Sequence, residues 1–416
     1  MKRLIIITAC IAMVFSLHAQ QTRVLFLGNS YTAFNSLPSL TRLLALSLGD
    51  TIEVSSNTPG GYTFNGHSTD LTSMTLIQQG NWDYVVLQEQ SQLPSFPPSQ
   101  VNTESRPYAQ ALVDSIRFYS PCAEPVFYMT WGRQNGDDAN CASWPPVCTY
   151  EGMQSQLRIS YLSFAEENMA WCAPVGAAWA QVREQYPMIN LYNADGSHPS
   201  VEGSYLAACT IYSTMFGTSS VGASYISLVA ADTASTLQQI ASALVLDSAA
   251  TWNIGASDPV ASVFVDDNNG LDAQFSQTST NATSHLWDLG DGSTSTEDAF
   301  THTYAQPGSY TVIYTVTDAC DRTDTDTLQV TVVVSGINEF REEQLTITPN
   351  GSGIIVKNNG STGTFQLFDS SGKLMNSFKL KVSGMLNIPL TDSGTYLWKF
   401  IDLNGTQAAG KVANIN

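Results

Sequence analysis

The feature that most constrains this chain is an apolar run that ends in a serine. Residues 24–32 read VLFLGNSYT, and residues 39–48 read SLTRLLALSL. The first run is typical of a buried parallel strand and the second of a helix. The hydroxyl of Ser30 would then lie at the carboxyl edge of a parallel sheet, where open α/β sheets bind ligands. A helix N-terminus nearby would favour negative charge developing on a bound substrate.

The N-terminal residues predict an export signal. Lys2 and Arg3 precede an apolar stretch over residues 4–17, and a small residue follows at Ala19. This order is typical of a signal peptide, which we place at residues 1–19. No later segment reaches the roughly 18 apolar residues that a membrane span needs. We therefore expect an exported chain without a membrane span.

Composition narrows the choice of partners. The 416 residues carry a net charge of −19, and only 13% of them are charged. An acidic surface with few lysines argues against nucleic acid or an anionic membrane as a partner. The length suggests two or three domains, and the 43% of apolar residues allow a sizeable core.

The cysteines predict disulfides. Seven are present, and Cys10 belongs to the predicted signal peptide. Export favours disulfide bonds, and Cys141 and Cys148 flank a short ASWPPV segment that such a bond would close. The sequence alone does not pair the remaining cysteines, which are Cys122, Cys172, Cys209 and Cys320. Because the chain has no Cys-x-x-Cys pair and no histidine near these cysteines, we expect no metal site.

Three segments follow the predicted signal peptide. Residues 20–252 alternate strand-like and helix-like stretches, which predicts a parallel sheet covered by helices on both faces. From residue 258 the sequence is rich in Thr, Ser, Asp and Val, and apolar and polar residues alternate most clearly over 309–317. This pattern predicts an all-β sandwich over residues 258–335. Short strand-like runs then predict a second small β-sandwich over residues 342–416.

A serine hydroxyl needs a base before it can act as a nucleophile. His198 is the histidine with a suitable neighbour, since residues 193–200 read NADGSHPS and place Asp195 three residues before it. On a loop ahead of a helix, Asp195 could hold one imidazole nitrogen while the other faces Ser30, as in a Ser–His–Asp triad. The alternative is a polar turn with a solvated histidine.

The order of these pieces resembles that of the SGNH hydrolases, also called GDSL-like esterases. The GNSY of residues 28–31 resembles their first motif, with Asn for the usual Asp, and the DGSHP of residues 195–199 resembles their last motif. The resemblance implies a three-layer α/β/α, flavodoxin-like fold for residues 20–252. It also implies Ser30 as nucleophile, His198 as base and then acid, and Asp195 as the group that orients His198.

Two further blocks resemble the parts of that family that form the oxyanion hole. PGGYT at 59–63 implies a backbone N–H from Gly61, beside the N–H of Ser30. WDYVVLQEQS at 82–91 resembles the strand that delivers a side-chain amide, and here Gln90 stands where the family has Asn. Gln88 takes that role if the strand ends earlier. Glutamine offers the same amide donor on a longer stem.

Other polar or aromatic residues are candidates for the substrate pocket. Trp131 and Arg133 follow a predicted strand at the edge where substrates bind, although Trp131 could equally be a packing residue. His67, beside the second block, could line the pocket or be a solvated loop residue. Glu89 could be a second acid near the site or a structural hydrogen-bond acceptor.

The later segments resemble two accessory modules. HLWDLGDGSTS at 285–295, FTHTY at 300–304 and PGSYTV at 307–312 resemble a PKD domain. TITPNG at 346–351, FQLFDSSGK at 365–373 and SGTYL at 393–397 resemble the C-terminal sorting domain of type IX secretion substrates. The second resemblance implies a Bacteroidetes-type source, contact with that secretion machinery, and a secreted or surface-attached protein.

These observations predict a secreted serine esterase that needs no cofactor. Its expected substrates are carboxylic esters, with O-acyl groups such as acetyl on a polysaccharide favoured by export and by the PKD-like module. Two alternatives stay open. One is a lipase, phospholipase or thioesterase of the same fold, and the other is a non-catalytic surface adhesin with an esterase-like domain.

Overall fold

The computed structural model describes residues 21–333, 345–403, 405 and 407–414. The predicted signal peptide at residues 1–19 lies outside the described residues. The chain divides into two compact units. Unit 1 contains the chain up to Pro259 together with Asn281–Thr283 and Thr317–Thr323, and unit 2 contains Val260–Thr280, Ser284–Val316 and the chain from Asp324 onward.

Unit 1 is built on a five-stranded parallel sheet with the order β2-β1-β3-β4-β5. Its strands are β1 (Thr22–Leu27), β2 (Ile52–Asn57), β3 (Tyr84–Leu87), β4 (Glu124–Tyr128) and β5 (Trp171–Ala173). The chain leaves β1 for β2 on one side and returns to β3 on the other side. The strand order therefore reverses at β1 and β3, which is where a flavodoxin-like sheet opens a crevice for ligands.

Helices cover both faces of this sheet. They are α1 (Ser30–Ala33), α2 (Leu37–Leu48), α3 (Phe64–Thr69), α4 (Leu71–Gln78), α5 (Pro98–Glu104), α6 (Arg106–Tyr119), α7 (Asp138–Cys141), α8 (Tyr150–Glu167), α9 (Val175–Gln185), α10 (Val201–Phe216) and α11 (Ala231–Leu246). Val24 and Phe26 pack into one core with α2, α9, α10 and α11. Leu25 and Leu27 point to the opposite core with α6 and α8. Burial on both faces explains the unbroken apolar run of β1.

The predicted fold class is confirmed in this unit. The apolar run that begins at Val24 forms β1, which starts two residues earlier, at Thr22. The sequence analysis did not identify β5, the short helices α1, α3, α4, α5 and α7, or the longer helix α9. Three residues of β5 are too few to show a period, and the composition of α3, which reads FNGHST, is closer to that of a loop.

Unit 2 contains antiparallel sheets, as the sequence predicts. The strands of the first sandwich are β6 (Val263–Asn269), β7 (Asp272–Gln277), β8 (Ser284–Asp288), β9 (Thr294–Ser295), β10 (Ala299–Thr303), β11 (Gly308–Thr317) and β12 (Thr323–Val332). They form sheets of order β10-β7-β6 and β12-β11-β8-β9 around a core that includes Phe275, Trp287 and Tyr314.

The C-terminal strands form a second pair of sheets with its own core. They are β13 (Leu345–Pro349), β14 (Gly353–Asn358), β15 (Gly363–Phe368), β16 (Leu374–Leu380), β17 (Gly384–Pro389), β18 (Gly394–Asp402) and β19 (Gln407–Asn414). The sheet orders are β13-β14-β17 and β16-β15-β18-β19. Val356, Phe365 and Phe400 are fully buried in this core.

Two disulfides lie in unit 1. Cys141 is bonded to Cys148, and Cys122 is bonded to Cys320, which is 198 residues away in the sequence. Cys172 and Cys209 are buried free thiols. The long-range bond joins the turn before β4 to the turn between β11 and β12. It therefore lowers the conformational entropy of the unfolded chain.

Breaking the long-range disulfide should destabilise unit 1 more than breaking the short one. We expect Cys320→Ser to lower the free energy of unfolding by about 3 kcal/mol, since loop closure over a long segment removes more entropy from the unfolded chain. Cys141→Ser is the matched control, because Cys141 and Cys148 are only seven residues apart in the sequence. Calorimetry of the two variants measures the difference, and equal losses would contradict the prediction.

Candidate active site

Ser30 lies at the switch point of the sheet, three residues beyond the end of β1. Asn29 caps the helix that Ser30 begins, with its side-chain Oδ1 accepting a hydrogen bond of 3.1 Å from the N–H of Tyr31. Asparagine is one of the preferred residues at such a cap. The cap turns the chain sharply, and the Ser30 side chain remains partly accessible.

His198 and Asp195 lie on the loop before α10 and reach Ser30. The Nε2 atom of His198 is 2.9 Å from Ser30 Oγ, and its Nδ1 atom is 2.5 Å from Asp195 Oδ2. The loop is closed by a hydrogen bond from the N–H of Asn193 to the carbonyl of His198. The structure thus brings together the serine, the histidine and the acid that the sequence analysis singled out, in a hydrogen-bonded series.

Asp195 is exposed, yet its charge is stabilised locally. Its Oδ1 atom accepts hydrogen bonds of 2.9 Å from the N–H groups of Ser197 and His198. Partial burial alone would raise the pKa of Asp195, but the hydrogen bonds from the His198 ring and from these two amides outweigh it and lower the pKa below its usual value. The carboxylate therefore remains ionised and orients the imidazole at neutral pH.

Gln88 connects the loop after β1 to the end of β3. Its Oε1 atom accepts hydrogen bonds from Asn29 N at 2.9 Å and from Thr32 Oγ1 at 2.8 Å. Its amide nitrogen donates to the carbonyl of Glu89. A Cβ on Gly28 would lie 2.4 Å from Thr32 Oγ1 and 2.8 Å from Gln88 Oε1, so only glycine fits there. Gln88 is buried and has a structural role, which corrects its place as the alternative oxyanion donor.

The other expected oxyanion donors have free hydrogens. Among the described residues, neither the N–H of Ser30 nor that of Gly61 has a hydrogen-bond acceptor. Asn29 Nδ2 donates to the carbonyl of Tyr62 at 2.9 Å, which holds the loop of Gly61 beside the serine. Gln90 uses Oε1 to accept from the N–H of Gln92, and its Nε2 donates once, to Gln92 Oε1 at 3.2 Å. One hydrogen on that nitrogen is left for another acceptor.

The structure corrects the pocket role of Trp131. Its ring is fully buried and lies between the rings of Tyr31 and Trp179, with centroid distances of 4.7 and 3.8 Å. Its indole nitrogen donates to the carbonyl of Ser197 at 3.0 Å, two residues after Asp195. Trp131 therefore supports the histidine loop from behind and does not face a substrate.

His67 is also buried, which corrects both its pocket role and its alternative as a solvated residue. Its ring nitrogens bond Ser73 Oγ at 2.8 Å and the carbonyl of Gly28 at 2.9 Å. Burial lowers the pKa of His67, so the neutral ring acts as a bridge between α3 and the serine loop. Arg133 is half-buried and pairs with the buried Asp137 at 3.1 Å, so its pocket role stays a prediction.

Phe34 and Asn35 belong to the site and were not identified from the sequence. The Phe34 ring is stacked on the His198 imidazole, with centroids 4.3 Å apart and an interplanar angle of 20°. Asn35 has a φ of 51° and donates to the carbonyl of Ser200 and to Ser204 Oγ, both at 2.9 Å. These hydrogen bonds offset the strained backbone and fix the loop that carries His198.

Glu89 is a fully buried carboxyl group beside the site. Its Oε1 atom accepts from Phe64 N at 2.9 Å and from Gln90 N at 2.6 Å, and its Oε2 atom accepts from Ser105 Oγ at 2.8 Å. No ion pair reaches it from the described residues. Burial raises the pKa of Glu89 to about 7, although its three hydrogen bonds act in the opposite direction.

A cavity of about 260 Å³ opens between the loop after β2, the loop after β3 and the helices α5 and α6. It is lined by Thr63, Asn65, Leu93, Thr103, Glu104 and Tyr108. Most of this lining is polar, and Tyr108 adds an aromatic ring. Within the described ranges, no group of three or more His, Cys, Asp or Glu side chains could hold a metal ion.

Family comparison identifies one module of the chain. Residues 256–332 match the model of the PKD domain family. Over 58 residues the chain is 52% identical to the pre-pro-metalloprotease PrtV of Vibrio cholerae, and this match covers 14% of this chain. The chain spans only 6% of the length of the curated relatives that it matches.

Two solved structures are each similar to about half of this chain. A DUF4886 family protein from Bacteroides uniformis is 18% identical, with a TM-score of 0.47, and the match covers 54% of this chain and 95% of that one. A proposed SGNH hydrolase from Slackia heliotrinireducens is 28% identical, with a TM-score of 0.39, and the match covers 47% of this chain and 99% of that one. Of the three resemblances noted from the sequence, the family comparison finds the PKD domain.

The stability that Glu89 and Glu124 contribute should fall as pH rises between about 4.5 and 7, whereas His67, whose pKa is lowered by burial, acts in the opposite direction below 6.5. Folding raises the pKa of Glu89 from 4.5 to about 7. In this range the folded chain keeps a proton that the unfolded chain releases. The contribution of Glu89 to the free energy of unfolding is therefore complete below pH 4.5 and is lost as pH rises through 7. Each such group gives up to about 1.4 kcal/mol per pH unit. Glu124 has the same direction and value, because burial raises its pKa to about 7.

Glu89→Gln should therefore make the slope of stability against pH less negative by up to about 1.4 kcal/mol per pH unit in this range. Glutamine keeps an oxygen for the two N–H groups and offers its amide to Ser105 Oγ, but it does not titrate. Urea unfolding of wild type and variant at several pH values between 4 and 8 measures the slope. The matched variant Glu124→Gln should change the slope by a similar amount, and unchanged slopes in both variants would contradict the assignment.

Proposed function

We propose that the chain is an exported serine hydrolase of the SGNH/GDSL type that cleaves carboxylic esters through an acyl-enzyme on Ser30. The observation that carries the proposal is the series Ser30 Oγ–His198 Nε2 at 2.9 Å and His198 Nδ1–Asp195 Oδ2 at 2.5 Å. These are hydrogen-bond distances between a nucleophile, a base and the group that orients the base. The position at the carboxyl edge of a flavodoxin-like sheet supports it.

The reaction follows from these contacts. Ser30 Oγ attacks the acyl carbon while its proton passes to His198 Nε2, and ionised Asp195 stabilises the imidazolium through Nδ1. The N–H groups of Ser30 and Gly61 and the free Nε2 hydrogen of Gln90 are the proposed donors to the oxyanion. His198 then gives its proton to the departing alcohol. Water attacks the acyl-enzyme with His198 again as base, which releases the acid and restores Ser30.

We infer that the alcohol part of the ester is a carbohydrate, as the predicted export and the PKD domain suggest. The cavity lined by Thr63, Leu93 and Tyr108 has hydroxyl, amide and carboxyl groups with a tyrosine ring, which suits a neutral sugar better than an acyl chain. We extend the proposal to O-acyl, in particular O-acetyl, groups on a polysaccharide. Glu104 in the lining disfavours an anionic sugar.

Export is part of the proposal. The predicted signal peptide at residues 1–19 and the two disulfides suit an oxidising compartment outside the cytoplasm. The helices that the structure describes do not include one with the length and apolar character needed to cross a membrane. We propose that residues 342–416 are the sorting domain that directs the chain through the type IX route.

Replacing the proposed nucleophile tests the reaction. Ser30→Ala should lower kcat for a chromogenic acetyl ester by at least about 1000-fold, because water alone must then attack the acyl carbon. A fluorophosphonate probe should label wild type at Ser30 and leave the variant unlabelled. Ser115→Ala is the matched control, because the hydroxyl of Ser115 binds the carbonyl of Ala111 within α6, away from the site. Equal hydrolysis by Ser30→Ala and wild type would exclude this mechanism, and failure of the probe to label folded wild type would favour an adhesin.

Replacing Tyr108 tests the sugar part separately. We expect Tyr108→Ala to raise KM for an acetylated oligosaccharide by about tenfold, since an aromatic contact in a binding site is worth about 1 kcal/mol or more. Its kcat/KM for the small chromogenic acetyl ester should stay unchanged. Parallel kinetics on both substrates give the answer. A similar loss of activity on both substrates would contradict the sugar-binding role of Tyr108. Efficient cleavage of long-chain acyl esters would instead favour a lipase or thioesterase.

A further inference from the structure

Glu89 makes contacts that a solvated loop carboxylate would not make. Its side chain is fully buried, and each of its oxygens is a hydrogen-bond acceptor. The N–H groups that it binds belong to Phe64 and Gln90. Phe64 lies three residues after Gly61, and Gln90 is itself a proposed donor. One carboxyl oxygen therefore joins the two loops that would form the oxyanion hole.

The loop of Gly61 is held on both sides of Thr63. Asn29 Nδ2 binds the carbonyl of Tyr62 at 2.9 Å, and Glu89 Oε1 binds the N–H of Phe64 at 2.9 Å. Asn29 directly precedes Ser30, so its hydrogen bond to Tyr62 ties the serine to the Gly61 loop. Glu89, on the loop after β3, holds the same loop through its hydrogen bond to Phe64. The contact of Glu89 is buried and that of Asn29 is partly buried, and hydrogen bonds shielded from water are harder to exchange with it.

The main chain around Glu89 is fixed as well. Its carbonyl accepts a hydrogen bond from the Gln88 amide, and its N–H lies 3.3 Å from the hydroxyl of Tyr161 on α8. A buried carboxyl group with no cationic partner in the described part of the chain costs free energy of folding. Groups that are retained at such a cost are found preferentially where a site needs fixed geometry.

We propose that Glu89 is a positioning residue that holds Gly61 and Gln90 in place for the oxyanion, an inference that rests on the proposed function. It acts through its acceptor oxygen and does not touch the substrate. Loss of that oxygen leaves two N–H groups unsatisfied and frees both loops. The transition state, which carries the oxyanion, is then affected more than the bound ester.

Glu89→Met, Glu89→Gln, Glu89→Asp and Ser105→Ala test the inference with the chromogenic acetyl ester, well below their unfolding temperatures. Glu89→Met keeps the volume without the acceptor, and we expect kcat to fall about 100-fold while KM changes by less than about threefold. Glu89→Gln keeps the acceptor and should recover kcat to within about threefold of wild type. Ser105→Ala removes only the contact to Oε2, so it should lower stability without a comparable fall in kcat.

Glu89→Asp keeps the inference testable if the methionine variant does not fold. Its shorter stem cannot reach both N–H groups, and we expect kcat to fall about tenfold while the glutamine variant stays near wild type. Wild-type kcat in folded Glu89→Met, or in Glu89→Asp, would overturn the inference. So would a fall in Glu89→Gln as large as that in Glu89→Met.

The rate at which a fluorophosphonate modifies Ser30 is a second readout, because that reaction also develops negative charge on oxygen. It should fall in Glu89→Met and recover in Glu89→Gln, in parallel with kcat. Ser30→Ala separates failure of the proposed function from failure of the role of Glu89. If Ser30→Ala retains activity, the proposed function fails. If Ser30→Ala is inactive and Glu89→Met is as active as wild type, only the role of Glu89 fails.

Discussion

The site depends on the hydrogen bonds that Gln88 Oε1 accepts from Asn29 and Thr32. β1 lies between β2 and β3, so the loops after all three strands emerge side by side at one edge of the sheet. Parallel pairing alone brings these loops together but does not fix their conformations. The buried Gln88 amide fixes the turn that presents Ser30, and Gly28 leaves the space that this contact needs.

Around that contact, each loop of the site is fixed by a buried or stacked partner. The loop of His198 is held by Asn35 from the serine side and by Trp131 from behind. The hydroxyl of Tyr31, next to Ser30, binds Ser197 Oγ at 2.7 Å, directly beside His198. A nucleophile and a base that are 168 residues apart in the sequence thus share contacts independent of the bond between them. Such support lets a site keep its geometry before substrate binds.

The sequence predicted those parts of the molecule that depend on local pattern. The apolar run before Ser30 and the Asp-x-x-His spacing are short-range features, and their periodicity and order were sufficient to place β1 and the loop before α10. The roles of Gln88, Glu89 and Trp131 depend on partners 59, 25 and 66 residues away, so no local pattern reveals them. The same holds for Cys122, whose partner Cys320 lies in the turn after β11. The buried Trp131 shows the limit most clearly, since an aromatic residue after a strand fits a pocket wall and a packing position equally well.

The exposure of Asp195 has a consequence for how the site holds its histidine. A carboxylate that is largely in water gains little from Coulomb attraction, because solvent screens the charge. Asp195 instead accepts two backbone N–H groups from its own loop, and these fix the carboxylate as an acceptor for His198 Nδ1. The orientation of the imidazole then depends on the loop conformation, which Asn193, Asn35 and the stacked Phe34 maintain. The loop geometry, and not burial, therefore orients the carboxylate of Asp195. The carboxyl group of Glu89, in contrast, is held by its hydrogen bonds and is also buried.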